Sequence, residues 1–145
     1  MKQSHILHVD DDPNDVLLFE HACRKVGLNC QLHAVSDGEE AIAYLQGANH
    51  FADRQRYPLP NLVVLDLKMP RLTGFDVLAW LRQKEKCHWL PVIVLSSSNH
   101  EADVKRAYSL GANSYLVKPV AFDTLVEIVN AIQQYWLKTN VQTES

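Results

Sequence analysis

Short apolar runs alternate five times with helix-type spacing along this chain. Ile6–Val9 reads as a strand running into Asp10. Asp12 can cap the helix that follows, with Pro13 at its first position, where a missing N–H costs nothing. Val16, Leu17, Phe19, Cys23 and Val26 keep helical spacing, and Gly27 stops the run. Gln31–Val35 is a second, weaker strand. Ser36-Asp37-Gly38-Glu39 has the form of a capping box, with Ala41, Ile42 and Leu45 as the apolar stripe behind it. Residues 46–60 are polar and irregular and read as one long loop.

Leu62–Leu65 is apolar without alternation and ends in Asp66, the pattern of a strand buried on both faces of a parallel sheet. Thr73–Lys84 has helical spacing. Pro91–Leu95 is a second unbroken apolar run and leads into Ser96-Ser97-Ser98. Ser98-Asn99-His100-Glu101 reads as another capping box, opening a helix that ends near Leu110 and Gly111. Ser114–Val117 is the fifth strand, before Lys118-Pro119. The last helix covers about Phe122–Lys138, with Leu125, Val129, Ile132 and Trp136 on one face. The core is expected to span 4–138, with 139–145 a polar, frayed tail.

Five strand–helix units predict an α/β fold: a doubly wound, five-stranded parallel sheet with helices on both sides. A length of 145 residues suits one domain, and an apolar fraction of 47% suits a globular one. The net charge of −3 gives no electrostatic footprint for nucleic acid. No window approaches the apolar length of a membrane span, and acids follow the N-terminus too soon for a signal peptide, so the chain reads as cytoplasmic. Cys23, Cys30 and Cys87 lack the spacing of a disulfide framework or a zinc knuckle and read as structural thiols.

In such sheets ligands bind beyond the C-terminal strand ends. Those ends carry Asp10-Asp11-Asp12, Asp66, Ser96-Ser97-Ser98 and Lys118. Carboxylates gathered this closely repel one another, and a divalent cation or a lysine relieves that. Oxygen donors suit hard Mg²⁺. A carboxylate nucleophile can form an aspartyl phosphate, with Lys118 and a serine hydroxyl stabilising phosphoryl oxygens.

The segments ILHVDDDP, LVVLDLKMPRLTGFDVL, LPVIVLSSS and GANSYLVKP resemble response-regulator receivers, the CheY-like proteins, in order and spacing. The resemblance implies a flavodoxin-like (βα)5 sheet of order 2-1-3-4-5. It implies Asp66 as phosphoacceptor and metal ligand, Asp11 as a direct Mg²⁺ ligand, Asp10 acting through water, and the Lys68 backbone carbonyl as a further ligand. Ser96 is the implied switch hydroxyl, Tyr115 the switch aromatic that moves inwards with it, and Lys118 the partner of the phosphate. The bond before Pro119 is expected to be cis, and Met69-Pro70 and Gly74 shape the loop after Asp66. The implied partners are a sensor histidine kinase and a downstream target, a phosphotransfer protein or a second copy of the chain. With no output domain in the sequence, the readout is expected on the fourth and fifth helices and the fifth strand. The long 46–60 segment, DLKMP, LSSSN and Tyr135-Trp136 are similar to single-domain receivers that partner bacterial and cyanobacterial phytochromes.

Lys68 departs from the commonest pattern and is expected to pair with Asp66 or alter phosphoryl lifetime by shielding it from water. Its position also argues against a phosphohydrolase, which would carry a general acid two residues past the nucleophile. No glycine-rich turn follows the first strand, as a nucleotide or flavin site would need, and the intact acidic set argues against a mere scaffold. Ser97 is expected to be a small neighbour, Ser98 a helix cap, Tyr135 and Trp136 packing residues, Arg54 and Arg56 solvated, and Asp103–Tyr108 an ordinary exposed face.

Overall fold

The computed structural model describes residues 3–27 and 29–143. Its elements are β1 (Ser4–Val9), α1 (Pro13–Val26), β2 (Cys30–Val35), α2 (Gly38–Gln46), β3 (Leu62–Leu65), α3 (Gly74–Leu81), β4 (Val92–Ser96), α4 (Glu101–Ser109), β5 (Ser114–Val117) and α5 (Phe122–Ile132). All strand pairings are parallel, in the order β2-β1-β3-β4-β5. This is the doubly wound sheet that the alternating pattern predicts. β1 lies between β2 and β3, so the chain passes over it between those strands, while the other connections join adjacent strands.

The unbroken apolar runs are explained by two cores. Side chains alternate across a strand, so Leu7, Val9, Val63, Leu65, Val92 and Val94 pack under α2, α3 and α4. Ile6, Leu62, Val64, Ile93 and Leu95 face the other way, onto α1 and α5. The Leu125, Val129, Ile132 stripe of α5 is buried there, with Trp136 packed at its margin and Tyr135 left 53% exposed. Each fully buried aliphatic side chain contributes about 1.5–3 kcal/mol.

Asp12 caps α1 as predicted, its carboxylate accepting from the Asn14 N–H, and Gly27 closes the helix at φ 73°. The other caps differ from the sequence pattern. At α2 the cap is Asp37, which accepts from Glu40 N–H, while Glu40 reaches back to Ser36. At α4 it is His100, without a side-chain bond. An aspartate already carries two acceptor oxygens beside the first turn, so Asp37 displaces Ser36 from the role. At α3, Thr73 and Asp76 form a true capping box.

The 46–60 segment is not featureless. Asn49–Phe51 forms a single 3₁₀ turn, and Phe51 is buried against Tyr44 and Tyr57. Arg54 is not solvated: its guanidinium donates to the carbonyls of Tyr44, Leu45 and Tyr57 and closes the end of α2. After Ile132 the last helix widens into a π-helical segment, Gln133–Thr139, instead of continuing as α-helix to Lys138. The tail beyond it folds back: Gln142 joins Asn61 and the Trp136 carbonyl, where fraying was expected.

Candidate functional site

The C-terminal ends of β1, β3, β4 and β5 bring the predicted residues together. Asp10 and Asp66 are held by their backbones, their N–H groups donating to Val35 and Val9 carbonyls. Asp66 is 5% exposed and Asp10 1%, whereas Asp11 is exposed. One carboxylate oxygen from each of Asp10, Asp11 and Asp66 lies within 4.8 Å of the others. Gly74 permits the tight loop behind Asp66, because a Cβ there would collide with the Asp66 carbonyl and Leu67 Cα.

Lys118 enters from the end of β5, its backbone N–H fixed on the Ser96 carbonyl at 2.8 Å. Its ammonium lies 2.9 Å from Asp10 Oδ2 and 3.4 Å from Asp66 Oδ2. A third carboxylate, Asp15 on the first turn of α1, is nearer still at 2.7 Å. Asp15 was not a sequence candidate. Its one signal is its place in the first turn of the helix that directly follows the acidic pair.

Burial dominates the electrostatics. It pushes the Asp10 and Asp66 carboxyls above their ordinary value, and the shared lysine only partly offsets this. Burial also opposes charge on Lys118, but its bonds to Asp15 and Asp10 outweigh that and raise its pKa. His8, packed on Phe19 and 3.8 Å from Asp10, is pushed down to about 3 by burial and then by Lys118, so it stays neutral. One lysine serves three carboxylates. Asp10 Oδ2 touches Lys118 but accepts no well-aligned hydrogen bond. An all-oxygen donor set in which three carboxylates share one lysine has too little positive charge and fits a hard divalent cation.

Ser96 is fully buried, with its Oγ accepting from the Ser98 N–H at 3.2 Å. Tyr115 is already turned towards the β4–α4 loop, its hydroxyl donating to the Ser98 carbonyl at 2.9 Å. Ser98 is not the cap expected of it, since His100 holds that position; its hydroxyl donates to Asp103 at 2.6 Å. Lys68 does not pair with Asp66. Its backbone N–H lies 3.5 Å from Asp66 Oδ1, but its ammonium reaches Asp103 at 3.1 Å. Asp103 on α4 is less buried than Asp66 and offers the long, exposed Lys68 stem a wetter partner. Asp103 is therefore no ordinary surface acid. The cis bond expected before Pro119 is absent; the described residues contain no cis peptide. Trans is the lower-energy isomer of an X–Pro bond by about 0.5–1 kcal/mol.

Comparison with known proteins points to one family. The family model for the response regulator receiver domain matches residues 6–130. The chain is 35% identical to the probable methanogenesis regulatory protein FilR2 of Methanothrix harundinacea, over 93% of this chain and 84% of that one. It is 34% identical to the response regulator Rcp1 of Synechocystis, over 92% and 89%. The Mn²⁺-bound structure of Rcp1 superposes with a TM-score of 0.85, covering 97% of this chain and 99% of that one. The phosphorylated cyanobacterial phytochrome response regulator RcpA superposes with a TM-score of 0.91 at 31% identity, covering 99% and 100%. No helix among the described residues is long and apolar enough to cross a membrane.

Proposed function

Because the chain belongs to the response regulator receiver family, we propose that Asp66 accepts a phosphoryl group from a phosphohistidine of a sensor kinase. The observation that carries this reading is the meeting of buried Asp66 with Asp10, Asp11 and Lys118 at one edge of the sheet. An Asp66 carboxylate oxygen forms the new O–P bond as the N–P bond breaks, and the imidazole leaves. Lys118 then meets a phosphoryl oxygen, and the Ser96 hydroxyl donates to another. Asp11, Asp66, the Lys68 carbonyl and, through water, Asp10 would hold Mg²⁺. Bound Mg²⁺ would neutralise the phosphoryl oxygens as charge shifts during transfer. The protein is thus its own catalyst for phosphotransfer and dephosphorylation, and not an enzyme acting on free substrates. Shielding of the phosphate by Lys68 requires its ion pair with Asp103 to open first.

Transfer biases a two-state surface through Ser96 and Tyr115. Tyr115 and Ser98 tie that switch to α4, so the readout falls on α4, β5 and α5. A cytoplasmic kinase of the phytochrome type is the donor that the similarity to RcpA and Rcp1 favours, with a downstream target, a phosphotransfer protein or a second copy as receiver of the signal.

The test is incubation with Mg²⁺ and phosphoramidate or acetyl phosphate. One acid-stable, base-labile phosphate is expected, and Asp66→Asn abolishes it. Undiminished labelling of Asp66→Asn would overturn the assignment. Candidate phytochrome kinases are then ranked by transfer rate.

A further inference from the structure

The shortest contact of the Lys118 ammonium is to Asp15, not to either strand-end carboxylate. The three distances are 2.7 Å to Asp15, 2.9 Å to Asp10 and 3.4 Å to Asp66. The order is informative. The ammonium sits closer to Asp15 and Asp10 than to Asp66, the residue assigned above as phosphoacceptor.

The surroundings leave the ammonium little alternative. A cavity of about 40 Å³ beside it is walled by Leu18, Phe19, Leu95 and Leu125, with neutral His8 at its back. None of those four side chains offers an acceptor, and Asp10 is the other carboxylate that lines the cavity. Asp15 closes the same cavity from α1, where the positive end of the helix dipole favours a carboxylate. Its side chain is 33% exposed, against 1% for Asp10 and 6% for Asp66, so it keeps contact with water that the buried pair lacks. A half-solvated carboxylate can release a lysine at lower cost than a buried one, because water replaces the lost partner.

We propose that Asp15 is a positioning residue for Lys118: it holds the ammonium off Asp66 before transfer and yields it to the phosphoryl oxygens afterwards. This rests on the assignment of Asp66 as phosphoacceptor. Without Asp15, Lys118 closes onto Asp66. A tighter ion pair with Asp66 stabilises its negative charge and lowers the nucleophilicity of the carboxylate.

The test compares Asp15→Asn and Asp15→Glu with the wild-type full chain. With saturating Mg²⁺ and phosphoramidate, Asp15→Asn is expected to take up phosphate about fivefold more slowly, as a modest strengthening of a partly buried ion pair implies. Asp15→Glu restores the rate to within about twofold, because it returns the carboxylate. A second measurement needs no phosphodonor. In metal-free protein, the Hζ–Nζ correlation of Lys118 in the ¹⁵N spectrum moves in Asp15→Asn and returns in Asp15→Glu, while amides away from the site stay in place. An unchanged Lys118 signal in Asp15→Asn, or wild-type uptake by that variant, overturns the proposal while labelled wild type leaves the Asp66 assignment standing. Wild type that takes up no phosphate at Asp66 overturns both.

Discussion

The two edges of the same sheet treat charge in opposite ways. At the N-terminal edge two arginines are well supplied with acceptors. Arg82 alone donates to the carbonyls of His88, Leu90 and Gly111 and to Asn113 Oδ1, which in turn accepts from Val92 N–H. Arg54 closes the end of α2 in the same fashion. At the C-terminal edge three carboxylates share one lysine, and a buried oxygen of Asp10 has no proper hydrogen bond. The first edge is satisfied and holds strands and helices in register. The second is left short of positive charge, which is what a site for a cation and a phosphoryl group requires. One edge is built for stability; the other gives up stability for chemistry.

Substitutions at the two edges are therefore expected to differ in sign. The largest effect is expected for Arg82→Ala. It strands several carbonyls at once, so unfolding in urea should lose about 3 kcal/mol with little change in slope. A loss below about 1 kcal/mol would remove the stabilising half of the comparison. Asp10→Asn should behave in the opposite way. In metal-free protein it is expected to be neutral or to add about 1 kcal/mol, because it deletes a buried charge that burial already disfavours. Mg²⁺ at a hundredfold over its Kd should then stabilise wild type by about 2.7 kcal/mol and the variant by clearly less. A thermal melt with and without the ion reads both.

The smallest effect concerns pH at the satisfied edge. His5 Nδ1 and His33 Nε2 lie 3.1 Å apart on β1 and β2, and their rings stack. Burial lowers both, and for His33 the charge of His5 adds to it. Below pH 6.5 the unfolded chain therefore binds protons that the folded chain refuses. Their stabilisation is complete above pH 6.5 and is lost as pH falls through the window beneath it. His33→Gln should flatten the stability slope between pH 7 and 5 by less than about 1 kcal/mol, since both rings are only partly buried. An unchanged slope would mean that the pair does not contribute.

Much of this was legible without coordinates. Unbroken apolar strands alternating with amphipathic helices allow few topologies, and in a parallel sheet every strand delivers its last residue to the same edge. Asp10, Asp11, Asp66, Ser96 and Lys118 could therefore be gathered from sequence position alone. Capping was less legible, because neighbouring Ser and Asp residues compete and local geometry chooses between them, as Asp37 shows against Ser36. Arg54 read as solvated because its acceptors are backbone carbonyls, which leave no mark in sequence.

What the sequence by itself determined is the order of elements and the edge on which the chemistry sits. Unbroken apolar runs mark the strands buried on both faces and period-3.6 patterning marks the buried face of each helix, and that information is local. What only the tertiary structure decided is where the long side chains end. Lys118 leans on Asp15 across 103 residues of chain, and Lys68 leaves Asp66 for Asp103. A lysine carries its charge at the end of a flexible four-carbon stem, so its partner is set by how α1 and α4 cross the sheet, which only the packed molecule fixes.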